Sequence, residues 1–207
     1  MMSTWAIVPV KPFSEGKSRL RACFGPDHLL EINRKCFSRT LKTLQACSEI
    51  NQVLVVSRSD EVLALALDNG AEGLMEKPPY SLNNGISQAL AYLTEKDCSK
   101  ILIIPTDLPR LEVDDLHQLL NHTKQQSAIR LVPDNFQTGT NAVLLNKGFD
   151  FEPQFGRNSF QKHSRQALKL AGKLEVLLLE NIQHDLDTYA DLKMLDEDII
   201  KQFELRI

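Results

Sequence analysis

Short apolar runs rich in β-branched residues alternate with helix-period segments along most of the chain, and few folds accept that order. A strand, a helix and a second strand running the same way form a βαβ unit. Repeated units build a mainly parallel central sheet with helices on both faces, so the expected class is α/β. Strands are expected at Trp5–Val10, Gln52–Ser57, Ala71–Glu76, Lys100–Pro105, Ile129–Pro133, Asn141–Leu145 and Leu174–Leu179. Between them lie a long helix striped by Leu29, Leu30, Cys36, Phe37, Leu41 and Leu44, with Pro26 in its first turn, and shorter helices at Asp60–Asn69, Leu82–Lys96, Val113–Leu120 and Ser159–Ala171. Asp60 reads as an N-cap, Gly70 and Gly172 as left-handed exits, and Asp185–Thr188 as the cap of a last helix running towards the C-terminus. No linker or internal repeat divides the 207 residues, which suit a single domain over 1–207, since domains run to roughly 100–250 residues.

Composition removes several classes of function. At 43% apolar and 25% charged the chain is neither disordered nor fibrous, and a formal charge of −3 supplies no bulk field for nucleic-acid phosphates. No apolar stretch approaches the ~20 residues that span a bilayer. The longest, such as Ile101–Pro105 and Val176–Leu179, are strand-sized, so a soluble protein is expected. Cys23, Cys36, Cys47 and Cys98 form no CxxC pair, and no secretory leader precedes Trp5; they read as reduced thiols of a cytoplasmic protein. The five histidines form no evident ligand set, and His163 reads as a helix-face residue.

In open parallel sheets, ligands bind beyond the carboxyl ends of the strands, where loop amides and helix N-termini converge. Polar clusters after strands therefore carry the most weight. Asp107 follows the buried run Ile101–Pro105, while Asp185 and Asp187, two residues apart, point the same way if extended. Three such carboxylates would suit Mg²⁺, which takes oxygen ligands shared with phosphates. The plain alternative is that Asp107 opens a turn before Pro109 and Asp187 caps a helix. Lys11, Lys17, Arg19 and Arg21 concentrate positive charge after the first strand, either to face a nucleoside triphosphate or as a solvated cationic face. The loop contains neither GxGxxG nor GxxxxGK[ST], so a dinucleotide-binding dehydrogenase and a P-loop NTPase both drop out. Gln137–Asn141 and Phe155–Phe160 combine small and hydroxylic residues that either hold a second anion or simply make turns and caps.

In order and spacing, Pro9-Val-Lys11-Pro-Phe-x-x-x-Lys17-Ser-Arg19-Leu, Val55-Val-Ser57, Leu82-Asn-x-Gly85, Pro105-x-Asp107-Leu-Pro109, Pro133-Asp134, Thr138-Gly-Thr-Asn141, Phe155-Gly156-x-x-Ser159-Phe-x-x-His163 and Asp185-x-Asp187-Thr form one set. The set resembles the CofC/FbiD family of phospholactate or phosphoenolpyruvate guanylyltransferases of coenzyme F-420 biosynthesis, relatives of the MobA-like nucleotidyltransferases. The resemblance implies a Rossmann-like nucleotidyltransferase fold. It also implies transfer of GMP from GTP to the phosphate of a three-carbon phospho-acid (2-phospho-L-lactate, phosphoenolpyruvate or 3-phosphoglycerate), with release of pyrophosphate. By the same resemblance Asp107, Asp185 and Asp187 would bind Mg²⁺, and Lys11, Lys17 and Arg19 would be the catalytic cations on the triphosphate. Ser57, Asn84 and Gly85 would bind the nucleoside, and Thr140, Gly156 and Ser159 the acceptor. The bulky Arg157 and the Asn158 that precede Ser159 depart from the small residues usual there. A homodimer follows by analogy only.

Overall fold

A computed structural model describes residues 3–121 and 129–203. Strands β1 (Thr4–Pro9), β2 (Gln52–Ser57), β3 (Glu72–Met75), β4 (Lys100–Ile103), β5 (Ile129–Pro133), β6 (Thr140–Asn146) and β7 (Leu174–Val176) form one sheet in the order 3-2-1-4-6-5-7. Among the described residues every pairing is parallel except those of β6, which runs against β4 and β5. The cause is the connection over 134–139: a parallel return needs a crossover of about a dozen residues or more, and this stretch allows only a hairpin.

Helices α1 (Pro26–Ala46), α2 (Asp60–Asp68) and α4 (Val113–Asn121) cover one face, and α3 (Leu82–Leu93) and α5 (Ser159–Ala171) the other. Alternate residues of each central strand enter the two cores. Ala6, Val8, Val55 and Leu102 meet Phe37, Leu41 and Leu44 of α1, while Trp5, Ile7, Leu54 and Ile103 meet Ile86, Ala89 and Leu93 of α3. A third cluster joins Leu20, Phe24, Leu29, Ile32 and Cys36 to Leu186, Leu192, Leu195 and Phe203, fastening the C-terminal segment to the start of α1.

Three local expectations are corrected. Ser59, not Asp60, caps α2: its backbone is extended and its hydroxyl accepts from Val62 N–H, leaving Asp60 in the first turn to favour the positive end of the helix dipole. The last strand stops at Val176 because it pairs on one side only, and α6 (Glu180–Gln183) follows before Asp185. The last helix is two short ones, α7 (Tyr189–Lys193) and α8 (Glu197–Gln202), because the chain turns extended at Asp196, a residue type that favours caps over helix interiors. Whatever lies past residue 203 is outside the described residues. No described helix is long and apolar enough to cross a membrane.

Candidate active site

The carboxyl ends of β1, β2 and β4 open into a cleft of about 640 Å³. Of the residues singled out from sequence, Lys11, Lys17, Gly85, Asp107 and Asp187 line it. Asp185 sits beside it: one carboxylate oxygen each from Asp107, Asp185 and Asp187 lie within 4.8 Å of one another. The pairing is built locally. Leu186 is fully buried in the third cluster, so its two neighbours, on the opposite face of an extended segment, both point to Asp107. The Leu186 N–H donates to the Asp107 carbonyl at 2.8 Å, and the Lys17 ammonium donates to the Leu186 carbonyl at 2.6 Å. At the other end of the segment the Asn141 amide donates to the Ile182 carbonyl at 2.8 Å. The carboxylate of Asp187 is left over for the cleft because Thr188 and Asp191 cap α7 reciprocally, Asp191 also accepting from Asp187 N–H.

These acids repel one another in a poorly solvated corner. Burial first, then Asp107 and Asp187, push the Asp185 carboxyl up to about 6. Asp107 is raised as well, chiefly by burial and further by Asp187, with Lys17 opposing. Asp107 Oδ1 is buried without a hydrogen-bond partner. An orphaned carboxylate oxygen facing two more carboxylates fits a hard divalent cation, which takes oxygen ligands and offsets the repulsion. Lys17 takes a left-handed backbone conformation (φ 52°), which turns its side chain back across the loop towards Leu186. Arg19 is largely exposed and reaches Asp187 at 3.6 Å.

Some expected nucleoside contacts are set back from the cleft wall. Ser57 is fully buried, its hydroxyl accepting from Ser59 N–H at 3.1 Å, and the Asn84 amide donates to the Lys77 and Pro79 carbonyls. Gly85 lines the cleft itself, and a Cβ there would stand 3.4 Å from Glu76. Sequence reading missed Glu15, Arg58, Glu76 and Tyr80, which complete this wall; Arg58 pairs with Glu15 and stacks over the Tyr80 ring at 5.2 Å. The available signal was position alone, Arg58 directly following β2.

Thr140, Gly156 and Ser159 gather at the N-terminus of α5. Thr140 and Ser159 are buried, and Gly156 is exposed with φ 109°, a conformation open to glycine. Phe160 N–H donates to the Thr138 carbonyl, joining the hairpin to the helix. His163 lies on a face of α5 as expected, the buried one, 3.0 Å from Thr140 Oγ1. Away from this edge His117 also acquires neighbours, Cys47 and Glu49, in a group that ties the end of α1 to α4; Glu49 accepts from Ser48, Asn121 and the Cys47 thiol and is held down at about 2, chiefly by Ser48.

The chain is 34% identical over 194 residues to a phosphoenolpyruvate guanylyltransferase of Sphaerobacter thermophilus, covering 94% of this chain and 93% of that one. It is 27% identical over 191 residues to a 2-phospho-L-lactate guanylyltransferase of Methanothermobacter thermautotrophicus, covering 92% and 83%. Solved structures with the same fold include a nucleotidyl transferase from the same archaeon (TM-score 0.68, 12% identity, 96% of this chain and 98% of that one). A cytidylyltransferase from Leptospira borgpetersenii matches with TM-score 0.61 and 14% identity over 99% of this chain and 94% of that one. The family model described as guanylyl transferase CofC like matches residues 4–199. An α/β sheet with this strand order, an acid triad at its carboxyl edge and a match over nearly its whole length make this chain a member of the CofC-like guanylyl transferase family.

Proposed function

We propose that residues 1–207 act as one nucleotidyltransferase domain that moves GMP from GTP to the phosphate of 2-phospho-L-lactate, phosphoenolpyruvate or 3-phosphoglycerate in coenzyme F-420 biosynthesis. An oxygen of the acceptor phosphate attacks Pα of GTP, the Pα–O bond to the β-phosphate breaks, and pyrophosphate leaves with that electron pair. The acceptor is already an anion and needs no strong base. The barrier lies in joining two anions, and groups that hold them in line and offset their charge lower it. The observation that carries this reading is the meeting of Asp107, Asp185 and Asp187 beside Lys17 at the carboxyl edge of the sheet.

In this reading Asp107, Asp185 and Asp187 hold Mg²⁺, which when bound supplies charge neutralisation at Pα and the leaving group. Lys11 and Lys17, which line the cleft, and Arg19, beside Asp187, offset the charge of the triphosphate. Gly85 admits the nucleoside close to α3, with Ser57 and Asn84 shaping the wall behind it. Thr140, Gly156 and Ser159 receive the phospho-acid. Four free thiols suit a cytoplasmic protein.

The decisive assay mixes the purified protein with GTP, Mg²⁺ and each of the three phospho-acids and identifies the nucleotide product by mass spectrometry. The expected product is a diphosphate-linked guanosine conjugate with stoichiometric pyrophosphate. Conjugation only to a sugar phosphate or to molybdopterin would make it a transferase for another acceptor, and GTP binding without pyrophosphate release would make it a binding module.

A further inference from the structure

His163 lies one turn into α5 from Ser159, fully buried, with its ring centroid 4.7 Å from Phe155 and 5.2 Å from Phe151. Its two nitrogens have different partners, and the partners determine the tautomer. The Gln154 backbone N–H is directed at Nε2 at 3.0 Å. An amide N–H can only donate, so Nε2 carries the lone pair. Burial holds the ring down at about 4, so it is neutral near pH 7 and its single proton sits on Nδ1. Nδ1 is 3.0 Å from Thr140 Oγ1. The imidazole therefore donates to the threonine hydroxyl and cannot accept from it, which sends the hydroxyl's own proton elsewhere.

The sheet defines where that proton can go. β6 is antiparallel to β4, with Val143 opposite Ile103, so Thr140 lies beyond the end of β4 on the edge that carries Asp107. Through Gln154 the same imidazole also pins the strap leading to Gly156, whose other anchor is a two-way pairing of Phe155 with the Asn83 side chain. One buried ring thus touches or carries the supports of all three positions read as acceptor contacts: Thr140 directly, Gly156 through its strap, and Ser159 on its own helix.

We propose that His163 is the positioning residue of the acceptor subsite, presenting the Thr140 hydroxyl as a fixed hydrogen-bond donor to an anionic oxygen of the phospho-acid while holding the Gly156 strap in register. The inference rests on the acceptor subsite of the proposed function. His163 touches no substrate and moves no proton in the reaction; it settles beforehand which way Thr140 donates.

Steady-state kinetics test this with GTP and with phosphoenolpyruvate, 2-phospho-L-lactate or 3-phosphoglycerate, whichever the wild type turns over. His163→Phe keeps a ring among rings but removes both polar contacts, and His163→Asn returns a donor near the place of Nδ1. The expected result is a rise of about tenfold in acceptor KM for His163→Phe with GTP KM unchanged, and substantial recovery in His163→Asn. Thr140→Val should show a comparable acceptor defect, and Thr140→Val combined with His163→Phe should lose no more than the worse single variant, because the two act as one unit. Equilibrium GTP binding and thermal unfolding of each variant separate this from misfolding. Additive losses in the double variant, an unchanged acceptor KM in His163→Phe, or a defect shared equally by GTP and acceptor would overturn the proposal. An unchanged acceptor KM in Thr140→Val would instead remove the acceptor subsite itself.

Discussion

Asp107 and Asp185 sit where their charges cost stability. Each is desolvated among like charges, and a folded-state pKa raised above the unfolded value means that the folded protein holds the proton more tightly. The associated stability is present below about pH 4 and is lost as pH rises through the folded value, about 6 for Asp185. At pH 7.5 in metal-free buffer, Asp185→Asn should therefore stabilise the protein by roughly 1–3 kcal/mol, read as a higher Tm. Mg²⁺ should raise the wild-type Tm more than that of the variant; equal shifts would separate Asp185 from the cation. Asp107→Asn should follow the same stability pattern yet lower turnover by about 10²–10³, the loss typical of a single electrostatic stabiliser, and wild-type pyrophosphate release at saturating Mg²⁺ would refute its role.

Short α7 matters for what it keeps away from the acids. The Thr188 hydroxyl accepts from Asp191 N–H, and Asp191 in turn accepts from the backbone of Thr188 and Asp187, so the helix end is satisfied without the Asp187 carboxylate. Asp191→Ala should cost about 1 kcal/mol of stability and release Asp187 to compete for the cap. Activity should then fall at limiting Mg²⁺ and return at saturating Mg²⁺; a loss independent of Mg²⁺ would place the defect elsewhere. At this scale the periodicities of α1 and the core strands were legible, because a stripe such as Phe37, Leu41 and Leu44 has only one way to be buried. Finer details were hidden where neighbouring residues compete for one role. Ser59 and Asp60 both suit a cap, and Asp187 and Thr188 both precede α7; backbone angles, which a linear pattern does not encode, decided each case.

Across the whole molecule, two opposed titrations overlap. His163 is held at about 4, below its unfolded value, so its contribution is complete above about pH 6.5 and is lost as pH falls towards 4. Asp185, with Asp107 acting in the same sense, contributes the reverse over nearly the same interval. The Asp185 and His163 terms should nearly cancel from pH 6.5 to 4.5, each amounting to about 3 kcal/mol at most, which leaves the gain on acidification to Asp107. Relative to the wild type, chemical denaturation across that range should show Asp185→Asn losing stability on acidification and His163→Asn gaining it; parallel curves for the two would contradict the assignment. The common direction of Asp185 and Asp187 was legible from their spacing of two along an extended segment, whereas the tie between His163 and Thr140 was not: it depends on the reversal of β6, and hydrophobic alternation reads the same in either direction.

That reversal divides the working edge into halves with separate ancestry in the chain. Strands β1 to β4 deliver their C-terminal ends to it, so whatever they present is tied to long crossovers and to the deep packing of α1 and α3. The sixth strand delivers its beginning, straight out of a surface hairpin over 134–139. Mutation in that turn can alter the surroundings of Thr140 and the start of α5 while the cleft beyond β1, β2 and β4 stays as it was; under the proposed placement of the acceptor there, evolution has a route to exchange the small acid without relearning how to grip the nucleotide.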